Sequence, residues 1–365
     1  MAIYLLIFAA AVVLAIGVTP LARRLALHAG VIDQPSARKA HARATPLLGG
    51  LAIYLASALA LALFGDRLYI GQTVGIFVGA TLVSFLGIWD DRAGLRPLVK
   101  LLGQTVAALL LIVAEVRVEA LHNDFLNIAA TILWIVAITN SFNLLDNMDG
   151  LSGGVAAISC AFLFLLAASA GQFLVASLAM ALLGACLGFL RYNFNPANIF
   201  MGDTGSLFLG FTIAALAIKL RFENYDVVTW MVPVLVLGVP LFDTALVIVS
   251  RLRRGLNPFT TPGKDHVSHR LVALGWTARE AVMALYLVCG GLGMAALVLM
   301  RATILEGYII GGAALVAAFF AAYKLELGCG GYDGRRYRHK SSADIGAPAL
   351  GAGPPAEQAS PRSRS

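Results

Sequence analysis

Apolar residues in this chain come in long unbroken runs, not at the three-to-four-residue spacing of a soluble amphipathic helix. Runs bounded by charge or turn residues fall at 3–21, 47–64, 70–89, 98–115, 126–142, 150–170, 173–190, 205–219, 228–250, 281–300 and 304–323. A helix needs about 20 apolar residues to cross the hydrocarbon core, and most of these runs approach that length. The pattern predicts an all-α polytopic membrane protein with about eleven transmembrane helices. The weakest runs are 126–142, which contains Asn140, and 205–219, which is short. No basic residue precedes the first run, whereas Arg23 and Arg24 follow it, the reverse of a secretory signal. It reads as a retained helix with its N-terminus outside.

Composition agrees with this reading. Of 365 residues, 59% are hydrophobic and 13% charged, against about 25% charged in a soluble domain. That excludes a single-anchor protein and a β-barrel. The net charge of +7 would suggest nucleic acid in a soluble chain, but the positions of the charges matter more than their sum. Laid on the eleven-helix topology, 22 of the 27 Lys and Arg residues fall on one side. Short cytoplasmic loops collect such residues, so that side is the cytoplasm, the C-terminus lies there, and no nucleic-acid partner is called for. Residues 328–365, rich in Gly, Pro, Ala, Ser and Arg, cannot bury enough surface to fold and read as a disordered cytoplasmic tail after a membrane domain of residues 1–327. Cys160, Cys186, Cys289 and Cys329 show no metal-ligand spacing.

The acids also sort by side. On the cytoplasmic ends of helices stand Asp90 with Asp91, then Asp146 with Asp149, and Asp203. Carboxylates at a membrane boundary are costly to dehydrate and usually have a functional partner. Adjacent Asp90 and Asp91 repel each other and invite a cation or a raised pKa. Asn140, Asn143, Asp146 and Asp149 place an oxygen-bearing side chain at every third position, which suits a hard cation such as Mg²⁺ better than simple capping by Asp149. In Gly202-Asp203-Thr204-Gly205 a tight turn opens an apolar helix whose N-terminus is suited to an anion. The loop Lys264-Asp265-His266-Val-Ser268-His269-Arg270 gathers bases and imidazoles into a set suited to phosphate or proton transfer. Only Asp243 is clearly embedded, and Pro233 and Pro240 are expected to break the ninth helix.

In order along the chain, Asp33 to Gly50, Asp90-Asp91 through Gln104, Asn143 to Leu151, Asn193 to Ser206, Pro240 to Asp243 and Asp265 to Leu271 resemble the polyprenyl-phosphate N-acetylhexosamine-1-phosphate transferase family. The resemblance implies transfer of a sugar 1-phosphate from a UDP-N-acetylhexosamine to a membrane polyprenyl phosphate, with release of UMP. It implies an Mg²⁺ cofactor, with Mn²⁺ as a substitute, and a Mg²⁺ environment of Asn143, Asp146 and Asp203. By the same resemblance Asp90 or Asp91 activates the lipid phosphate, Asn193, Phe200 and Asp149 lie where the family holds uridine, and His266, His269 and Arg270 contact the diphosphate or sugar. Arg43 and Lys100 are carried as further substrate contacts. The implied setting is the plasma membrane with a cytoplasmic active site, and a homodimer is compatible with it.

Many members have a second adjacent histidine where this chain has Ser268, and the His-run of the peptidoglycan branch, which handles UDP-MurNAc-pentapeptide, is absent. A UDP-GlcNAc-type donor is therefore expected, with the pentapeptide transferase as alternative. The rival of another class, an ion-coupled secondary transporter, would place its acids near mid-membrane, often at an inverted repeat.

Overall fold

In lipid, a backbone must satisfy its own N–H and C=O groups, and for an isolated apolar run the helix does so locally. The computed structural model describes residues 1–33, 44–65, 70–221, 231–258, 261 and 263–328. Its helices are α1 (Ala2–His28), α2 (Gly49–Phe64), α3 (Ile70–Ala93), α4 (Pro97–Val113), α5 (Asp124–Leu145), α6 (Leu151–Ser169), α7 (Phe173–Asn193), α8 (Gly202–Lys219), α9 (Met231–Val236), α10 (Gly238–Arg253), α11 (Val267–Ala273), α12 (Ala278–Leu299) and α13 (Ile304–Gly328). Among the described residues seven helices are long and apolar enough to cross a membrane, and α2 and α4 are shorter apolar helices. The protein is a nearly all-α polytopic membrane protein. The one departure is a pair of two-residue antiparallel strands, β1 (Ile32–Asp33) and β2 (Thr45–Pro46), with Ile32 opposite Pro46 and Asp33 opposite Thr45. Arg43, Cys329 and the tail lie outside the described residues; α13 itself runs to Gly328.

Both weak runs form longer helices than their apolar stretches. In α5 the polar Asn140 finds Gln104 of α4, its Nδ2 donating to Oε1 at 2.6 Å, so the amide does not interrupt the helix. α8 extends upstream through the Gly-Asp-Thr turn to Gly202.

The ninth run is broken at Leu237, between α9 and α10. Pro240 has no N–H to give the Val236 carbonyl. Ser159 of α6 supplies the missing donor, its hydroxyl 3.2 Å from that oxygen. Pro233 remains inside α9, and its carbonyl accepts the Leu237 N–H at 3.0 Å.

α7 is the central helix, with 78% of its spanning window buried, whereas α13 lies at the periphery with 6%. Small residues permit that centrality: a Cβ on Gly184 or Gly188 would run into the α1 backbone at Phe8 or Val12. Polar residues at the helix ends gather in two separate groups. In one, Arg221, just beyond α8, pairs with Glu119 between α4 and α5 at 2.8 Å, and its N–H donates to Gln172 before α7 at 2.8 Å. In the other lie the acids and histidines.

Candidate active site

Successive helical residues point about 100° apart, and α3 uses this to send Asp90 and Asp91 in different directions. Asp91 turns to α8: Oδ1 accepts the Asp203 N–H at 3.0 Å, and Oδ2 accepts the Thr204 N–H at 3.2 Å and its hydroxyl at 2.9 Å. Gly202 opens α8 at φ +70°, and a Cβ there would strike Asp91 Oδ2. The helix N-terminus does bind an anion, but that anion is the protein's own Asp91.

Asp90 turns to α4. Its Oδ2 lies 2.7 Å from Lys100 Nζ, and its Oδ1 accepts the Leu95 N–H at 2.5 Å. The same ammonium lies 2.5 Å from Asp203 Oδ2, so Lys100 bridges α3 and α8. Asn143 at the end of α5 donates from Nδ2 to Asp203 Oδ1 at 2.9 Å and to Ser206 at 3.0 Å. The strand pair joins the same group. Phe200 N–H donates to the Pro46 carbonyl, while Gly49 and Gly50 N–H donate to the Phe200 and Met201 carbonyls, all at 2.9 Å.

The expected line of four oxygen-bearing residues resolves into separate tasks. Asn140 is committed to Gln104 inside the bundle. Asp146 terminates α5, and among the described residues its carboxylate has no hydrogen-bond or ion-pair partner. Burial, and then the charges of Asp203, Asp91 and Asp149, push its pKa up to about 8. A carboxylate left in that state is relieved by a cation. No three His, Cys, Asp or Glu side chains among the described residues form a metal-binding group by themselves. The free Asp146 carboxylate, Asp203 and the Asn143 amide oxygen are hard donors, and they fit a cation that completes its shell with water and substrate phosphate, as Mg²⁺ does.

Asp149 does not cap α6; Gly150 does, at φ +77°. Asp149 Oδ2 instead accepts from Asn195 Nδ2 and from the Ala197 N–H, both at 3.0 Å, and so holds the loop after α7. Asn193 is buried under that loop, its Oδ1 accepting the Gly150 N–H and its Nδ2 donating to the Ile199 carbonyl, each at 3.0 Å. Phe200 is half-buried beyond it.

The histidine loop arrives from α10 and α11. His266 Nδ1 lies 2.7 Å from Asp243 Oδ2, and its ring meets His269 edge-on with centroids 6.0 Å apart. Burial, then the charges of His266 and Lys264, drive the His269 pKa down to about 4. Asp265 receives Arg251 at 2.9 Å and Arg254 at 2.8 Å; burial alone would raise its pKa, but the two guanidiniums hold it below the usual carboxylate value. Ser268 donates to Asn147 at 2.6 Å and ties the loop to the segment between Asp146 and Asp149. Arg270 departs from its expected substrate contact. It is fully buried, with Nε on the Asp265 carbonyl at 2.8 Å, Nη2 on Ser250 at 2.8 Å and Nη1 on Glu326 at 2.5 Å, so its guanidinium braces the loop from behind.

Residues 73–221 match the family model described as Glycosyl transferase family 4. A probable undecaprenyl-phosphate N-acetylglucosaminyl 1-phosphate transferase of Bacillus subtilis is 38% identical over 299 residues, 79% of this chain and 82% of its own. The chain belongs to glycosyl transferase family 4. It is the family toward which the ordered motifs between Asp33 and Leu271 point. A decaprenyl-phosphate N-acetylglucosaminephosphotransferase of Mycolicibacterium smegmatis is 35% identical to this family 4 chain, over 73% of it and 75% of the relative. An undecaprenyl-phosphate alpha-N-acetylglucosaminyl 1-phosphate transferase of Salmonella typhi is 27% identical, over 84% and 91%.

Three partners at this family 4 site escape a reading of motifs alone: Asn147, Glu326 and the pairing of Asp243 with His266. Asp243 did leave a signal, since a lone acid in an apolar helix must find a partner. Glu326 left none, because it lies 56 residues beyond Arg270 at the end of a lipid-facing helix.

Proposed function

We propose that the chain transfers N-acetylglucosamine 1-phosphate from UDP-GlcNAc to a polyprenyl phosphate, releasing UMP, at the cytoplasmic face of the plasma membrane. One observation carries the reading: Lys100 bridges Asp90 and Asp203 next to the unpaired Asp146, in the group to which the histidine loop is also tied. Two anions have to approach there, and phosphoryl transfer depends mainly on positioning and charge stabilisation. The names of the three relatives favour N-acetylglucosamine over a pentapeptide-bearing sugar, and none is named for transport.

In this scheme an oxygen of the lipid phosphate attacks the phosphorus attached to the sugar, and the bond to UMP breaks. Asp90 is the residue that activates the lipid phosphate by taking its proton, because Asp91 is committed to capping α8. Lys100 serves both anions from its place between two carboxylates. The uridine is received at the loop between Asn193 and Phe200, which Asn193 supports from beneath and Asp149 holds in place, and His266 and His269 take the diphosphate. Arg43, outside the described residues, is retained as a substrate contact. Asn143, Asp146 and Asp203 would hold Mg²⁺, or Mn²⁺ in its place, which supplies charge neutralisation for the phosphates. The topology that goes with this has eleven crossings, α9 and α10 together making one, with the N-terminus outside; the 22-to-5 division of basic residues supports it.

Purified protein with Mg²⁺, polyprenyl phosphate and UDP-GlcNAc should release UMP and form a radiolabelled lipid, and chelation should stop it. Absence of product with every UDP-N-acetylhexosamine tested overturns the proposal.

A further inference from the structure

We propose that Asp243 is the positioning residue for His266, holding Nδ1 so that Nε2 is the ring nitrogen left for the sugar donor. The inference rests on the reaction proposed above. Asp243 is 1% exposed in the largely apolar first half of α10, where a carboxylate is tolerated only with its oxygens satisfied. Both are. Oδ2 lies 2.7 Å from His266 Nδ1, and Oδ1 accepts the Val267 N–H, also at 2.7 Å. That N–H opens α11, which has no side-chain cap of its own. One carboxylate thus fixes both the backbone entering α11 and the ring that precedes it.

The chemistry follows from what a carboxylate does. It only accepts, so the hydrogen bond calls for a proton on Nδ1, and whenever the ring carries a single proton Nε2 is a bare lone pair. The loop is in turn tied to the site by Ser268 on Asn147. Other titratable or charged groups around the ring are His269 at 6.0 Å between centroids, with Lys264 and Asp265 in the same loop. A purely structural strut makes a different claim. In Asp243→Asn the amide oxygen still accepts from Val267, so a strut survives; but the amide N–H₂ then donates to Nδ1 and drives the ring proton to Nε2. The same inversion is the worked case of the serine-protease aspartate, where it costs about 10⁴ in kcat.

The test uses the full chain in nanodiscs, with kcat/KM for UDP-GlcNAc measured across pH for wild type, Asp243→Asn, His266→Ala and the double variant. Asp243→Asn should lose at least about tenfold and displace a limb of the pH profile, and the double variant should be no slower than His266→Ala. A wild-type profile in Asp243→Asn, or losses that multiply in the double variant, overturns the proposal. ¹⁵N NMR of the six histidines, with the His266 signals identified by their loss in His266→Ala, reads the tautomer without any substrate. Wild-type His266 should be protonated at Nδ1 and the Asn variant at Nε2; a wild-type ring protonated at Nε2 alone also overturns it. If wild type makes no lipid product yet the spectra are as expected, the reaction falls and the pairing stands.

Discussion

Asp91 accepts both the backbone N–H and the hydroxyl of Thr204, at 3.2 and 2.9 Å, which makes a carboxylate of α3 the cap of α8. The two adjacent acids therefore do different work. Asp91→Ala should lower stability by about 1–3 kcal/mol, since a charge-assisted cap disappears and α8 keeps unsatisfied donors. Asp90→Asn should leave the melting temperature in detergent far less changed while turnover falls by roughly a hundredfold or more. Thermal unfolding of both variants beside UMP release checks this. Equal melting points, or a fully active Asp90→Asn, would contradict the division.

Lys100 is a single compact cation between Asp90 and Asp203. Lys100→Met should abolish most turnover, because it leaves two carboxylates facing each other with no ammonium to greet the phosphates. Lys100→Arg should rescue poorly: a planar fork matches one carboxylate bidentately and does not replace a point charge shared by two. Measured kcat/KM near wild type in Lys100→Arg would show that charge alone suffices.

The sequence announced where the chemistry lies but not how it is divided. Apolar runs marked the helices because lipid leaves a backbone few alternatives, and hydrogen bonds between helix ends and loops join Asp90, Lys100, Asn143 and Asp203, with the loop of His266 tied alongside through Ser268. Asp91 and Asp203 are 112 residues apart, so no local spacing could show that one caps the other's helix. The three-residue rhythm from Asn140 to Asp149 suggested one ligand line. Packing broke it, because Asn140 met Gln104 and α5 ended at Leu145 before the line was complete. Arg270 looked like a phosphate contact by composition, and only its burial against Asp265, Ser250 and Glu326 shows its bracing role.

Ser159 donates to the Val236 carbonyl that Pro240 leaves without a partner. Ser159→Ala should cost about 1 kcal/mol, the scale of an interhelical hydrogen bond in a membrane protein. A double variant with Pro240→Ala, which restores an N–H for that carbonyl, should recover part of the loss. Detergent melting of the single and double variants measures the coupling, and strict additivity would separate the two residues.

His269 contributes one identifiable part of the pH dependence of stability. Its folded pKa of about 4 lies below the ordinary histidine value of 6.5, owing to burial and then to the charges of His266 and Lys264. Between those values the unfolded chain binds more protons than the folded one, so stability rises with pH. The contribution is fully present above the unfolded pKa and is lost as the pH falls from 6.5 toward 4. Asp265, whose pKa is lowered, contributes above the unfolded carboxylate pKa and loses that contribution only as the pH falls through its lower folded value. The two losses therefore fall at different pH, while the raised pKa of Asp146 acts in the opposite sense and favours the folded chain as the pH falls below about 8. His269→Gln should remove the histidine's share, so that its melting temperature gains on that of wild type as the pH falls from 6.5 to about 4.5, while the acid loss of Asp265 stays in place. An unchanged slope in that variant would mean that the buried imidazole is not what the loop protects from protonation.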